Sequence, residues 1–146
     1  MFRGNAPARI DDKGRLKVPN AFRTLVQGKH GRELFLTSVT GECVRIYPMP
    51  VWLEIEQKLA EMPSTHPARL RFLERVNYYG QASSIDTQGR VLIPAVLREV
   101  AGIADDVVVI GNQDHLIVWN EEKIQKRLKS SPLTNDDMKE LELHGV

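Results

Sequence analysis

The stretch Ile10-Asp11-Asp12-Lys13-Gly14-Arg15-Leu16-Lys17-Val18-Pro19-Asn20-Ala21-Phe22-Arg23 returns as Ile85-Asp86-Thr87-Gln88-Gly89-Arg90-Val91-Leu92-Ile93-Pro94-Ala95-Val96-Leu97-Arg98. Ile, Asp, Gly, Arg, Pro and the closing Arg are identical at a constant offset of 75, while Leu16/Val91 and Val18/Ile93 stay apolar. Gly4-Asn5-Ala6 is echoed by Gly80-Gln81-Ala82. A register this fixed implies an internal duplication, so the chain reads as two copies of one small module. Each copy has roughly 45–50 residues, near the lower limit for independent folding. Modules of that size need extra buried surface, here from each other or from further chains.

Both copies carry the same local signals. In the first, Asp12-Lys13-Gly14 is turn chemistry, and Arg15-Leu16-Lys17-Val18 alternates like a half-buried strand. Pro19 stands where a helix should begin, at its first turn, and the helix should run to about Val26 with Phe22, Leu25 and Val26 inward. Glu33 to Ser38 and Cys43 to Tyr47 read as strands around Thr40-Gly41. In the second copy, Ser83 to Ile85 and Arg90 to Ile93 are strands around Gln88-Gly89. Pro94 to Ala101 is a helix closed by Gly102, and Asp106 to Ile110 and His115 to Trp119 are strands. Val51 to Leu59 is amphipathic, with Trp52, Ile55 and Leu59 on one face. Pro67 to about Tyr78 should be a second connector helix, with Leu70, Leu73 and Val76 inward and Arg69, Arg71 and Arg75 outward. Asn120 can cap a helix from Glu121 to Lys129, and Thr134 starts a short polar helix. The expected division is module one at 3–48, a helical connector at 49–79, module two at 80–122, and a C-terminal helix and tail at 123–146.

The chain's net charge of +1 says nothing about nucleic acid, but its distribution does. From Arg3 to Pro48 nine Lys/Arg stand against four Asp/Glu, a net of +5, whereas from Gln81 to Asn120 two stand against five, a net of −3. If one copy meets a polyanion, it should be the first. The single cysteine, Cys43, rules out an intrachain disulfide and reads as a small buried hydrophobe. With no apolar run approaching ~20 residues and no leader-like start, a cytoplasmic, membrane-free protein is expected. His30, His66, His115 and His144 share no metal-ligand spacing, and no phosphate-loop, dinucleotide or Ser-His-Asp pattern occurs. No metal, cofactor or small-molecule substrate is therefore expected, and no enzyme.

The repeated Asp-x-x-x-Arg has two readings. In the structural one, Asp11 with Arg15 and Asp86 with Arg90 meet across the turns, and Gly14 and Gly89 give the turns their shape. A bidentate pair would fix the loop, and a permanent partner argues against acid–base work by either carboxylate. In the functional one, Lys13, Arg15 and Lys17, with Arg3 and Arg9 nearby, present cations to a phosphate backbone, and Arg15 forks onto a guanine edge in the major groove. The residues alone leave both open. The copies differ where folding does not require it: Thr87 and Gln88 replace Asp12 and Lys13, and Leu92 replaces Lys17. That favours a role for turn one beyond folding. The aromatic residues Trp52, Tyr78, Tyr79 and Trp119 read as core or interface.

Two copies of Asp-x-x-Gly-Arg-x-x-x-Pro-x-x-x-Arg, the Met1-Phe2-Arg3-Gly4 start, Tyr47-Pro48 before a Trp-bearing helix and Gly80-Gln81-Ala82 together resemble the MraZ family, over roughly residues 1–130. One departure is Ile117-Val118-Trp119, where an acidic residue would be expected before the hydrophobic-Trp end. The resemblance implies a mainly β fold with short helices (α+β), built from duplicated SpoVT/AbrB-type swapped-hairpin modules that form an intrachain pseudo-dimeric β-barrel. It implies a nucleoid-associated, sequence-specific transcriptional regulator, chiefly a repressor of a division and cell-wall gene cluster including its own gene. Its expected partners are double-stranded promoter DNA with short G-rich direct repeats and copies of itself in a ring-shaped homo-oligomer. The family's DNA-contacting arginine falls on Arg15, and its counterpart is Arg90. The alternative is an AbrB-like interaction or antitoxin module without sequence readout.

Overall fold

The computed structural model describes the backbone of residues 1–146 and the surroundings of every residue except Leu25, Gly28, Lys29 and His30; the inward placement expected of Leu25 lies outside the described residues. Eight strands and six helices follow one another as β1 (Asn5–Arg9), β2 (Arg15–Lys17), α1 (Asn20–His30), β3 (Glu33–Thr37), β4 (Val44–Pro48), α2 (Met49–Glu61), α3 (Pro67–Tyr78), β5 (Gln81–Ser84), β6 (Arg90–Leu92), α4 (Ala95–Ala101), β7 (Asp106–Asn112), β8 (His115–Trp119), α5 (Glu121–Ser130) and α6 (Asn135–Leu143). The fold is mixed α+β around a mainly antiparallel sheet.

Six strands form one sheet in the order β1-β7-β8-β4-β3-β5, and β2 and β6 form a separate two-stranded ribbon. The lead strand of each copy therefore lies on the other copy's hairpin: β1 pairs with β7, and β5 pairs with β3. The copies meet again where β4 pairs with β8 and where β2 pairs with β6. Every one of these pairings is antiparallel.

Alternation along the strands divides the apolar residues between two faces. Leu34, Leu36, Val107 and Val109 face inward with Leu16, Val18, Phe22, Val91, Ile93 and Leu97 in a core drawn from both copies. Phe35 faces the other way and packs with Tyr47, Val51, Trp52 and Val76 beneath α2 and α3. Val108 joins Cys43 and Trp119 beneath Ile124 of α5. Residues of both repeats thus share one interior. Among the described residues, no helix is long and apolar enough to cross a membrane.

Several local expectations shift. Pro19 and Pro94 lie one position before their helices, extended at ψ 142° and 148°, rather than in the first turn. The fixed φ of proline suits that entry, and its missing N–H leaves one fewer donor to satisfy. Helix α1 continues to His30, and β7 continues to Asn112, leaving Gln113-Asp114 as the turn. Cys43 is buried as expected, but just ahead of β4 rather than within it. On α3 the inward residues are Phe72 and Val76, flanked by half-buried Arg69 and Leu73, so Leu70 is exposed. Tyr78 is exposed too, edge-on to Tyr79 rather than in a core.

Candidate nucleic-acid interface

The two Asp-x-x-x-Arg turns have the same geometry. Oδ1 of Asp11 accepts the backbone N–H groups of Lys13 (3.0 Å) and Arg15 (2.9 Å), and Oδ2 accepts Nε–H of Arg15 at 2.8 Å. In the second copy Oδ1 of Asp86 accepts from Gln88 and Arg90, both at 2.8 Å, and Oδ2 from Nε of Arg90 at 3.1 Å. The expected bidentate pair is thus a single-nitrogen pair, because one carboxylate oxygen is already used by the turn. Among the described residues, the terminal nitrogens of Arg15 and Arg90 have no hydrogen-bond partner. Each carboxylate is held below its ordinary pKa, Asp11 mainly by the Arg15 backbone N–H and Asp86 mainly by that of Arg90. Both stay ionised at neutral pH.

Gly14 and Gly89 turn at φ +83° and +77°, where a side chain is strained. They also admit a neighbour from the opposite copy. A Cβ on Gly14 would stand 2.7 Å from Cζ of Arg98, and one on Gly89 would stand 2.7 Å from Nε of Arg23. The closing arginine of each repeat therefore packs its guanidinium on the other repeat's turn. Backbone bonds reinforce the exchange: Val18 N–H donates to Gly89 O and Ile93 N–H to Gly14 O, both at 2.9 Å. Sequence reasoning noted these arginines as identical but gave them no role; their invariance at the offset of 75 was the available signal.

The two turns are nevertheless held differently. Arg23 Nη2 donates to Thr87 O at 2.9 Å, and Lys17 Nζ donates to Gln88 O at 2.8 Å. Arg98 instead donates through Nε to Ile93 O at 3.0 Å, in its own copy. Among the described residues, turn one has no such side-chain tether from the other copy to its carbonyls.

The ribbon brings most of the candidate residues together. Its register is Arg15↔Leu92, Leu16↔Val91 and Lys17↔Arg90. Leu16 and Val91 are fully buried, so the outward face carries Arg15, Lys17, Arg90 and Leu92. Lys13 is exposed at the tip of turn one. Arg9 joins Lys17 around a shallow cavity of about 430 Å³ that Asp106 also lines. Arg3 is not part of this group: its backbone lies against Gly111, at the opposite end of β1 from Arg9. Arg90, the counterpart of Arg15 in the second copy, shares the face with it. The arrangement is one of cations on the outward face of a two-stranded ribbon.

A family described as "MraZ protein, putative antitoxin-like" matches residues 1–75 and 80–142. Curated relatives named Transcriptional regulator MraZ include that of Acidobacterium capsulatum, 46% identical over the whole of both chains, and that of Koribacter versatilis, also 46% identical over the whole of both. The Nitrosospira multiformis protein of the same name is 37% identical over 99% of this chain and 98% of its own. With the family match covering nearly the whole chain and relatives 46% identical from end to end, the chain belongs to the MraZ family.

Proposed function

We propose that the chain is a sequence-specific DNA-binding transcription regulator, chiefly a repressor of the division and cell-wall gene cluster that includes its own gene. It acts in the cytoplasm, on the nucleoid, and binds short G-rich direct repeats as a ring-shaped homo-oligomer. The observation that carries this reading is the outward ribbon face with Arg15, Lys17 and Arg90. The names of the relatives support regulation of transcription. The exchange of lead strands between copies supports a swapped-hairpin, pseudo-dimeric AbrB-like module, with 3–48 and 80–122 as its halves.

The chemistry follows from the pairing. Asp11 holds Arg15 by Nε, leaving two terminal N–H groups side by side to fork onto O6 and N7 of guanine. Holding the side chain before binding reduces the entropy lost on contact. A two-stranded ribbon fits the major groove. Lys13 and Arg9 flank it and suit phosphates, which set affinity and salt dependence. A ring would repeat the ribbon and engage several DNA repeats at once, raising avidity without new contacts.

The test is an anisotropy titration against the DNA upstream of the chain's own gene, with a shuffled duplex and Arg15→Ala alongside at two salt concentrations. Preference for the native duplex, lost in the variant, is expected. Normal binding by folded Arg15→Ala would remove Arg15 from the site. The matching family's description as antitoxin-like supports a second reading, a partner-binding module. No binding to either duplex, with co-purification of a small protein partner, would favour it.

A further inference from the structure

The ribbon is nearly symmetric, and one position breaks the symmetry. Exchanging the copies carries Arg15 onto Arg90, Leu16 onto Val91, and Lys17 onto Leu92. One end of the outward face therefore pairs Lys17 with Arg90, two cations, while the other pairs Leu92 with Arg15. Leu92 is 49% exposed, although Val91 beside it already fills the core position at 0%. A lone exposed leucine elsewhere would need no explanation. This one is the cross-strand neighbour of Arg15, where directly opposed Cβ atoms stand about 4.5–5.5 Å apart. It also borders turn one, since Ile93 N–H bonds Gly14 O. The lysine that would tether this turn as Lys17 tethers turn two is replaced by an apolar side chain facing out.

Resting on the reading of the ribbon as a DNA interface, we propose that Leu92 is a specificity-determining residue that packs on the 5-methyl group of a thymine next to the guanine taken by Arg15. The methyl is the one apolar feature that bases present in the major groove. An arginine and a leucine side by side suit a guanine and an adjoining thymine, whereas the Lys17–Arg90 end suits phosphate or guanine. The two ends then prefer different base pairs, and one chain sits on the duplex in a single orientation.

Deoxyuridine tests this by deleting only the methyl. A site selected by the protein from random duplexes would have its thymines replaced singly by deoxyuridine and be titrated with the full-length chain. At one thymine, the wild type should lose about fourfold in affinity, the effect of one buried methyl. Leu92→Ala should bind the thymine and deoxyuridine duplexes equally, with unchanged thermal stability and sedimentation. Leu92→Lys, which restores the symmetry, should also lose the discrimination and steepen the salt dependence by about one charge. The inference is overturned if Leu92→Ala keeps the thymine preference, or if the wild type is indifferent to every methyl while Arg15→Ala abolishes binding. A changed sedimentation with the preference intact would overturn it as well, by making Leu92 a contact between protein chains. Unaltered binding by Arg15→Ala would instead refute the interface itself, which separates the two failures.

Discussion

Gly14→Ala is the sharpest probe of the exchange between the copies. Two costs add at this position. Alanine at φ +83° is strained by about 1 kcal/mol once the smaller entropy of its unfolded chain is allowed for. Its Cβ would also stand 2.7–2.9 Å from three atoms of the Arg98 guanidinium, forcing that group off the turn and off Ile93 O. A lost hydrogen bond of this kind adds about 1 kcal/mol. The sum, about 2 kcal/mol, should lower the melting temperature by about 4–8 °C in a chain of this size. Gly4→Ala supplies the control, because Gly4 has φ +76° but nothing within 4 Å of a Cβ. It should show the strain alone, about half the effect. The difference should vanish in an Arg98→Ala background, since the displaced group is then already absent. Calorimetry on the four variants reads this directly. Equal shifts for Gly14→Ala and Gly4→Ala, or an excess that survives Arg98→Ala, would refute the packing of Arg98 on turn one.

Other perturbations test other parts of the molecule. Trp52 stacks on Phe35 at 4.5 Å and lies 5.0 Å from Tyr47, so Trp52→Ala should cost about 3–5 kcal/mol in urea unfolding; a loss below about 1 kcal/mol would mean α2 is not anchored there. His115 is held below its ordinary 6.5, first by burial and also by the charge of Arg45, against the opposing pull of Asp114. Its unfolded form takes up a proton that the folded form resists, so stability should fall on acidification through 6.5, and His115→Phe should flatten that slope in pH-dependent unfolding. Asp11 and Asp86 have the opposite direction of dependence on charge: their depressed pKa values give stability present above 3.8 and lost as pH falls below it. Asp11→Asn should reduce that acid loss, while an unchanged profile would deny the carboxylate its role in the turn.

The elements of this fold were legible in the sequence because each rests on local chemistry. Asp12-Lys13-Gly14 makes a turn and Leu16 and Val18 bury on one side of a strand whatever lies beyond them. The partner of each strand is not local, and alternation alone does not say that β1 pairs with β7 rather than within its own copy. The size of each copy asked for extra buried surface, from the other copy or from further chains, and the core drawn from both copies supplies it. On α3, Leu70-Leu73-Val76 and Phe72-Val76 are both helical stripes; the position of Phe35 beneath the helix chose the second. At the site, Arg15 stood out by its motif and charge. Arg23, Arg98 and Leu92 did not, because their meaning depends on the other copy: the arginines act on the opposite turn, and Leu92 is informative only once it is seen to face outward beside Arg15.

Duplication within one chain explains how such a site can arise. If two identical chains formed the ribbon, its ends would be identical by symmetry, and any leucine placed beside Arg15 would appear beside the other arginine too. Joining the copies frees each position to change once. The residues both halves need for folding stayed matched: Asp11 with Asp86, Gly14 with Gly89, Arg23 with Arg98, and the buried pair Leu16 and Val91. The charged positions that lost their charge, Asp12 to Thr87, Lys13 to Gln88 and Lys17 to Leu92, are exposed, whereas buried changes such as Phe22 to Leu97 stayed apolar. Loss of charge followed exposure, and it changed how firmly each turn is tied. Both turns take a backbone bond from the other copy, Ile93 N–H to Gly14 O and Val18 N–H to Gly89 O, but among the described residues only turn two is also bound by side chains, those of Lys17 and Arg23, while Arg98 packs across turn one. A ribbon with one clamped and one freer turn can keep its register on the shared core while the freer turn adjusts to what it meets.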